Sequence, residues 1–257
     1  MKAFRFLLGA ICAVAAMFFL SGCFQAEQVI NVKPDGSGTV VFTVKVGKAA
    51  LEQMKALGGG GDANADPLEQ MMKKEEAEDM AKKLGEGVKL EKIEPFKEGE
   101  FVGKRATFSF ADINKVKADM SMGPDAGAED PDKEPIKFEF TKGSPATLII
   151  HSPNKKSKDK PDDPQEDAQM AAAAAMMKDM RITIAVNVQG TLVSTDADNK
   201  EGTRITLIDL PVGEALKDVK KFKAIDRAAD WASAAKLIKE IPGAKVESKQ
   251  KVKVELK

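Results

Sequence analysis

The residues best placed to do defined chemistry stand near the start of the chain, where Leu20-Ser21-Gly22-Cys23 closes an apolar run behind a basic N-terminus. Lys2 and Arg5 form a positive n-region, residues 6–20 form the apolar core, and small residues precede the cysteine, which is the order of a secretory signal. The run falls short of the roughly 20 apolar residues that a spanning helix needs. The four residues fit a bacterial lipobox. That pattern predicts a thioether between diacylglycerol and the Cys23 sulfur, cleavage before Cys23 and acylation of the new amino group, and two or more acyl chains hold stably to a bilayer. An ordinary cleaved signal would instead leave Cys23 as a free thiol. Phe24 and Gln25 follow without the acidic residue that signals inner-membrane retention, so the periplasmic face of an outer membrane is the favoured site where two membranes exist.

Elsewhere reactive groups are sparse. The chain has two cysteines and one histidine. Cys12 lies in the signal and Cys23 is the lipid site, so the exported part has neither a disulfide nor a spare thiol, and packing alone must hold it. Nucleophile–histidine triads and multi-histidine metal sites need residues that are absent, unless His151 acts alone at the end of Leu148-Ile149-Ile150-His151. Residues 196–202 have acids at calcium-loop spacing, but Lys200 takes a ligand position and Leu207 stands where a bidentate glutamate is required, so the stretch reads as a turn. Residues 62–66 read as a loop and a helix cap, since Pro67 replaces the glycine and Lys73 holds the twelfth place.

Thioethers of exported proteins can bind Cu(I), yet Met71, Met72, Met80, Met170, Met177 and Met180 fall on apolar stripes of helices, the spacing of core filling. The same methionines could surround a pocket for an acyl chain. Ser233-Ala234-Ala235-Lys236 has the letters of a serine–lysine hydrolase but lies in a helix beside core alanines. No catalytic residue, metal or cofactor is assigned, and the chain reads as not an enzyme.

Composition sets the partner class by exclusion. The whole chain balances 40 basic against 40 acidic residues, and the signal removes Lys2 and Arg5 but no acid, so the mature part is slightly acidic. No nucleic-acid footprint is present. The length admits one large or two small cores.

The elements that must carry these residues follow from periodicity. Residues 28–32 and 39–46 alternate around Pro34-Asp35-Gly36-Ser37-Gly38, which predicts a β-hairpin. A helix over residues 48–57 ends at four glycines, and Asp66-Pro67 opens a second that runs to Leu84. Strands are expected over residues 88–93, 100–110, 136–140, 146–150, 181–188 and 203–208, with loops over 120–135 and 154–163. A third helix is predicted from Asp163-Pro164 to Met180, and a last one over residues 226–240, capped by Asp226. Residues 245–256 then alternate as a strand whose lysines suit a sheet edge.

The expected fold class is therefore α+β, with antiparallel sheets built from hairpins and helices packed on one face. Residues 28–118 and 136–218 share one order of hairpin, helix and strand pair, which admits an internal repeat. The domain reading is a cleaved signal over 1–22, an extracytoplasmic α+β domain over 23–218 and a C-terminal helix and strand over 219–257.

The lipobox cysteine, Asn31-Val32-Lys33-Pro34-Asp35-Gly36-Ser37-Gly38, the strand with Gly103 and Phe108-Ser109-Phe110, and the hairpin from Ile182 to Ile208 together resemble the LppM-type bacterial lipoprotein domain over roughly residues 23–210. Gln189-Gly190 stands where such domains carry a Pro-Gly turn, and residues 225–257 have no counterpart. The resemblance implies an α+β extracytoplasmic domain held by its acylated cysteine, similar to lipid-binding domains and without a catalytic site. The expected function is a membrane-anchored envelope interaction or scaffold module. The alternatives are a carrier of lipid or another amphiphile and an envelope enzyme. The expected partners are the membrane, through the lipid anchor, and an envelope protein or a lipid ligand.

Overall fold

Apolar side chains at every second position fix most of the architecture, because a strand with one apolar face must bury it. In the computed structural model, residues 24–56, 67–118, 134–153, 170, 174 and 177–257 are described. The order is β1 (Phe24–Val32), β2 (Gly38–Gly47), α1 (Lys48–Ala56), α2 (Pro67–Gln70), α3 (Lys74–Leu84), β3 (Lys89–Glu98), β4 (Phe101–Phe110), a 3-10 turn (Ile113–Lys115), β5 (Lys117–Ala118), β6 (Ile136–Thr141) and β7 (Ala146–His151). It continues with β8 (Arg181–Val188), β9 (Leu192–Thr195), β10 (Lys200–Glu201), β11 (Arg204–Pro211), α4 (Val212–Leu216), α5 (Val219–Asp226), α6 (Trp231–Lys239), β12 (Lys245–Val246) and β13 (Lys251–Leu256). Cys23, the signal, the glycine run, the loops over 120–133 and 154–163, and all but a few residues of the helix expected from Asp163 lie outside the described residues.

Two sheets form. The larger runs β10-β11-β8-β1-β2-β4-β3, with β12 also on β11, and the smaller runs β5-β6-β7-β13-β9. The predicted first hairpin is present in unbroken register, Val32 facing Gly38 and Phe24 facing Val46. Gly36 turns at φ 84°, and a Cβ there would stand 2.7 Å from the Phe140 ring, so both conformation and space require glycine.

The fold is mostly sheet, which corrects the α+β reading of antiparallel hairpins under helices on one face. The large sheet is mixed, because β1 pairs in parallel with β8 from Gln25↔Arg181 to Val32↔Val188. The helices are short and spread out: α1 lies against β2, α3 against β3, α4 against β8 and β11, and α6 against β12. The inner faces of both sheets supply one apolar cluster, with Ile30, Val40, Phe108 and Val186 from the large sheet and Phe138, Leu148, Ile150, Val254 and Leu256 from the small one. Sheet thus covers sheet where helices were expected.

The internal repeat is overturned by the same pairings. All four long strands of the first half lie in the large sheet, whereas β6 and β7 of the second half leave it for the small one. Their partner is β13, so the C-terminal strand draws the second hairpin away from the position that a repeat would assign it. β13 itself is interior, between β7 and β9, and not a sheet edge. Its lysines Lys251 and Lys253 point outward while Val252, Val254 and Leu256 are fully buried.

Two helix boundaries also differ. The helix expected from Pro67 to Leu84 is interrupted between α2 and α3, where Lys104 Nζ from β4 donates to the Glu69 and Met72 carbonyls and the Glu76 carboxylate accepts the Lys73 N–H. The last helix is capped by Asp230, whose Oδ1 accepts the Ser233 N–H at 2.7 Å, and Asp226 closes the preceding α5.

One border of the large sheet is β3, whose alternating Lys and Glu residues, Pro95 and irregular register between Leu90 and Lys92 blunt its exposed side. Phe108 lies in the fully buried layer. Phe108→Ala should lower unfolding free energy by about 3–5 kcal/mol, and Lys251→Ala on the outer face of β13 should change it by less than about 0.5 kcal/mol. Urea unfolding followed by circular dichroism measures both, and similar values for the two would contradict this core.

Candidate functional site

Cys23, the predicted lipid site, lies outside the described residues, and the sheet begins at its neighbour. Phe24, peptide-bonded to Cys23, is already the first residue of β1 and pairs with Val46 of β2. β1 lies inside the large sheet with β2 on one side and β8 on the other. No linker separates the predicted acyl attachment from the folded sheet.

Among the described residues a dense polar cluster forms where the chain crosses between sheets. The connection from β9 to β10 and the connection from β12 to β13 run side by side there. Asp198 accepts from Lys239 Nζ at 3.0 Å, from Lys249 Nζ at 2.9 Å, and from the Ser248 hydroxyl. Glu247, only 1% exposed, accepts the N–H groups of Asp198 and Lys249. The buried Trp231 indole donates to the Glu247 carbonyl at 2.8 Å, and Asp196 accepts the Lys253 N–H. The Ser248 hydroxyl, then the Lys249 ammonium, hold the Asp198 carboxyl well below the usual carboxylate range. The acids that looked superficially like a calcium loop are therefore occupied by lysines, a hydroxyl and backbone N–H groups, as a structural clamp requires. Among the described residues no group of three or more His, Cys, Asp or Glu is placed to hold a metal ion.

A cleft of about 430 Å³ opens between the α2–α3 corner and the β3–β4 border. Met72 and Ile93 contribute apolar surface, and Glu69, Glu75 and Glu94 face Lys73, Lys74 and Lys104, so the lining has no charge preference. Lys104, with a side chain 12% exposed, is paired with Glu69 at 3.0 Å. Sequence reasoning passed over this lysine, although its phase was a usable signal: along Val102-Gly103-Lys104-Arg105-Ala106 it falls in step with Val102, Ala106 and Phe108, the buried face of β4.

The remaining sequence candidates are dispersed. His151 ends β7 as expected, on the outer face, with Nε2 at 3.1 Å from Glu139 but not aligned for a hydrogen bond. Ser233 and Lys236 are both exposed on α6, and the Ser233 N–H is bound to the cap. Met72 is buried, and Met71 and Met80 pack against the main apolar cluster, as core filling requires. Met177 is 39% exposed. On the open face of the large sheet, Arg181 forms a two-pronged pair with Asp209 at 2.5 and 2.7 Å, and Arg204 pairs with Glu27 at 2.7 Å.

The clamp has a pH signature. Because folding lowers the Asp198 carboxyl pKa, its contribution is complete above the ordinary aspartate value of about 4 and is lost as pH falls toward the folded value. Asp198→Asn should therefore cost about 1–3 kcal/mol at neutral pH and progressively less below about pH 4. Urea unfolding of both proteins across that range tests this, and a difference that stays constant with pH would contradict it.

No protein-family model matches this chain, and no curated protein matches it. A search of solved structures finds similarity to the NMR structure of the folded domain of Mycobacterium tuberculosis LppM, at a TM-score of 0.31 and 14% identity, covering 72% of this chain and 80% of that one.

Proposed function

We propose that this protein is a bacterial lipoprotein in which Cys23 carries the acyl chains and the β-rich domain acts as an envelope interaction or scaffold module, without catalysis of its own. The observation that carries this reading is the direct junction between the lipobox cysteine and β1, an interior strand of the large sheet. A tether of zero residues transmits position as well as attachment, which suits a module that must present a surface at a set height. The use of Asp198, Asp209, Glu27 and Glu247 in structural bonds supports a non-enzymatic role, since a general acid or base needs a free carboxyl near a substrate.

Among the described residues no helix is long and apolar enough to cross a membrane. Attachment by acyl chains on the outer side of a bacterial membrane accounts for the apolar run, the cysteine and the strand that follows it. Radiolabelled palmitate should enter the wild-type protein and not Cys23→Ala, and the variant should leave the membrane fraction on carbonate washing. Equal membrane retention of the two proteins would end the proposal.

A further inference from the structure

We infer that the end of the large sheet at which β1 begins is the bilayer-facing surface of the molecule, seated end-on against phospholipid headgroups. The inference rests on the anchor proposed above and adds which residues meet the lipid. Pairing registers gather several segments at that end: Phe24 lies opposite Val46, Gly47 opposite Phe101, and Gln25 opposite Arg181. The Lys48 N–H donates to the Glu100 carbonyl at 2.8 Å, which ties the start of α1 to the β3–β4 turn at the same end. The turn holding Met177 and Lys178 leads directly into β8, whose first residue lies beside Gln25.

Distances follow from sheet geometry. Strands lie about 4.8 Å apart, so Phe101, two strands from β1, is roughly 10 Å to the side of the anchor. At about 3.3 Å per residue, Asp35 in the hairpin turn is roughly 30 Å away along β1. Cys23 is one Cα–Cα step, about 3.8 Å, from Phe24.

The chemistry of this end suits an interface. Met177 is one of two large apolar side chains that stand exposed among the described residues, Lys178 follows it in the chain, and Lys48, 3.9 Å from Glu100, is exposed beyond β2 at the same end. Lys45 holds its ammonium 5.3 Å from the Phe101 ring, a cation and an aromatic face side by side. Apolar and aromatic groups with adjacent lysines match the boundary between acyl chains and phosphates.

A domain lying flat would be less well matched. One broad face of the large sheet is covered by the shared core, and the other carries the Arg181–Asp209 and Arg204–Glu27 pairs, whose charges already satisfy each other. Pressing those pairs against lipid would cost desolvation with no new partner. End-on seating leaves the open face and its ion pairs in water.

The test uses the mature acylated protein, in which lipidation consumes the Cys23 thiol, so a single introduced cysteine is unique. A bimane label is placed at Lys48→Cys, Lys178→Cys or Asp35→Cys, and each protein is reconstituted in phosphatidylcholine–phosphatidylglycerol vesicles containing a headgroup nitroxide lipid. The labels at 48 and 178 should lose most of their emission, and the label at 35 should retain it. Equal quenching at 35, or none at 48 and 178, in protein that floats with the vesicles overturns the orientation while leaving the anchor intact. Protein that does not float with the vesicles overturns the anchor, and the orientation with it.

Discussion

Parallel pairing between Phe24–Val32 and Arg181–Val188 joins segments about 150 residues apart, and the large sheet has no continuity without it. β1 brings its hairpin partner β2, and behind that β4 and β3, while β8 brings β11 with β10 and β12. Each group is a run of local antiparallel contacts. The parallel ladder is the seam between them, and closing it carries the loop entropy of the whole intervening chain. Contacts of such long sequence separation are slow to close. The small sheet has the same dependence on distance, because β7 in the middle of the chain waits for β13 at its end.

The two sheets are held in relation by a chain that changes sheet twice in one place. β9 belongs to the small sheet and β10 to the large, β12 to the large and β13 to the small, so two crossings lie next to each other. Backbone leaving a ladder has N–H and C=O groups to satisfy. Asp196, Asp198 and Glu247 supply acceptors there, Lys239 and Lys249 balance their charge, and the Trp231 indole seals the buried side. Acids and lysines therefore gather at the crossing, and Glu247 is the one fully enclosed acid among the described residues.

Local chemistry in the sequence foretold local structure well. Valine alternation around Asp35-Gly36 is enough for the β1–β2 hairpin, and Phe108-Ser109-Phe110 is enough for the inward phase of β4. What stayed hidden was partner choice. Nothing in Ile182–Val188 says that its neighbour will be β1 in parallel, and the lysines of β13 look like those of an edge strand until Val252, Val254 and Leu256 are seen enclosed by β7 and β9. The break between α2 and α3 was equally illegible from helix periodicity, because the carbonyls it frees are met by Lys104 on a strand some thirty residues later. The lipobox reading rests on adjacent residues of the sequence alone, and Cys23 lies outside the described residues. The Asp198 clamp was not legible, because its groups come from three separate stretches.

The border formed by β3 has a consequence for molecules crowded side by side on a shared surface. Sideways collisions between neighbouring copies bring sheet borders together, where a straight row of free amide groups would zip one molecule to the next. Pro95 lacks the N–H such a zipper needs, the shift between Leu90 and Lys92 spoils the spacing, and Lys89, Glu91, Lys92, Glu94, Lys97 and Glu98 keep a hydrated fringe along the rim. Along this rim a second copy would find no continuous ladder to join.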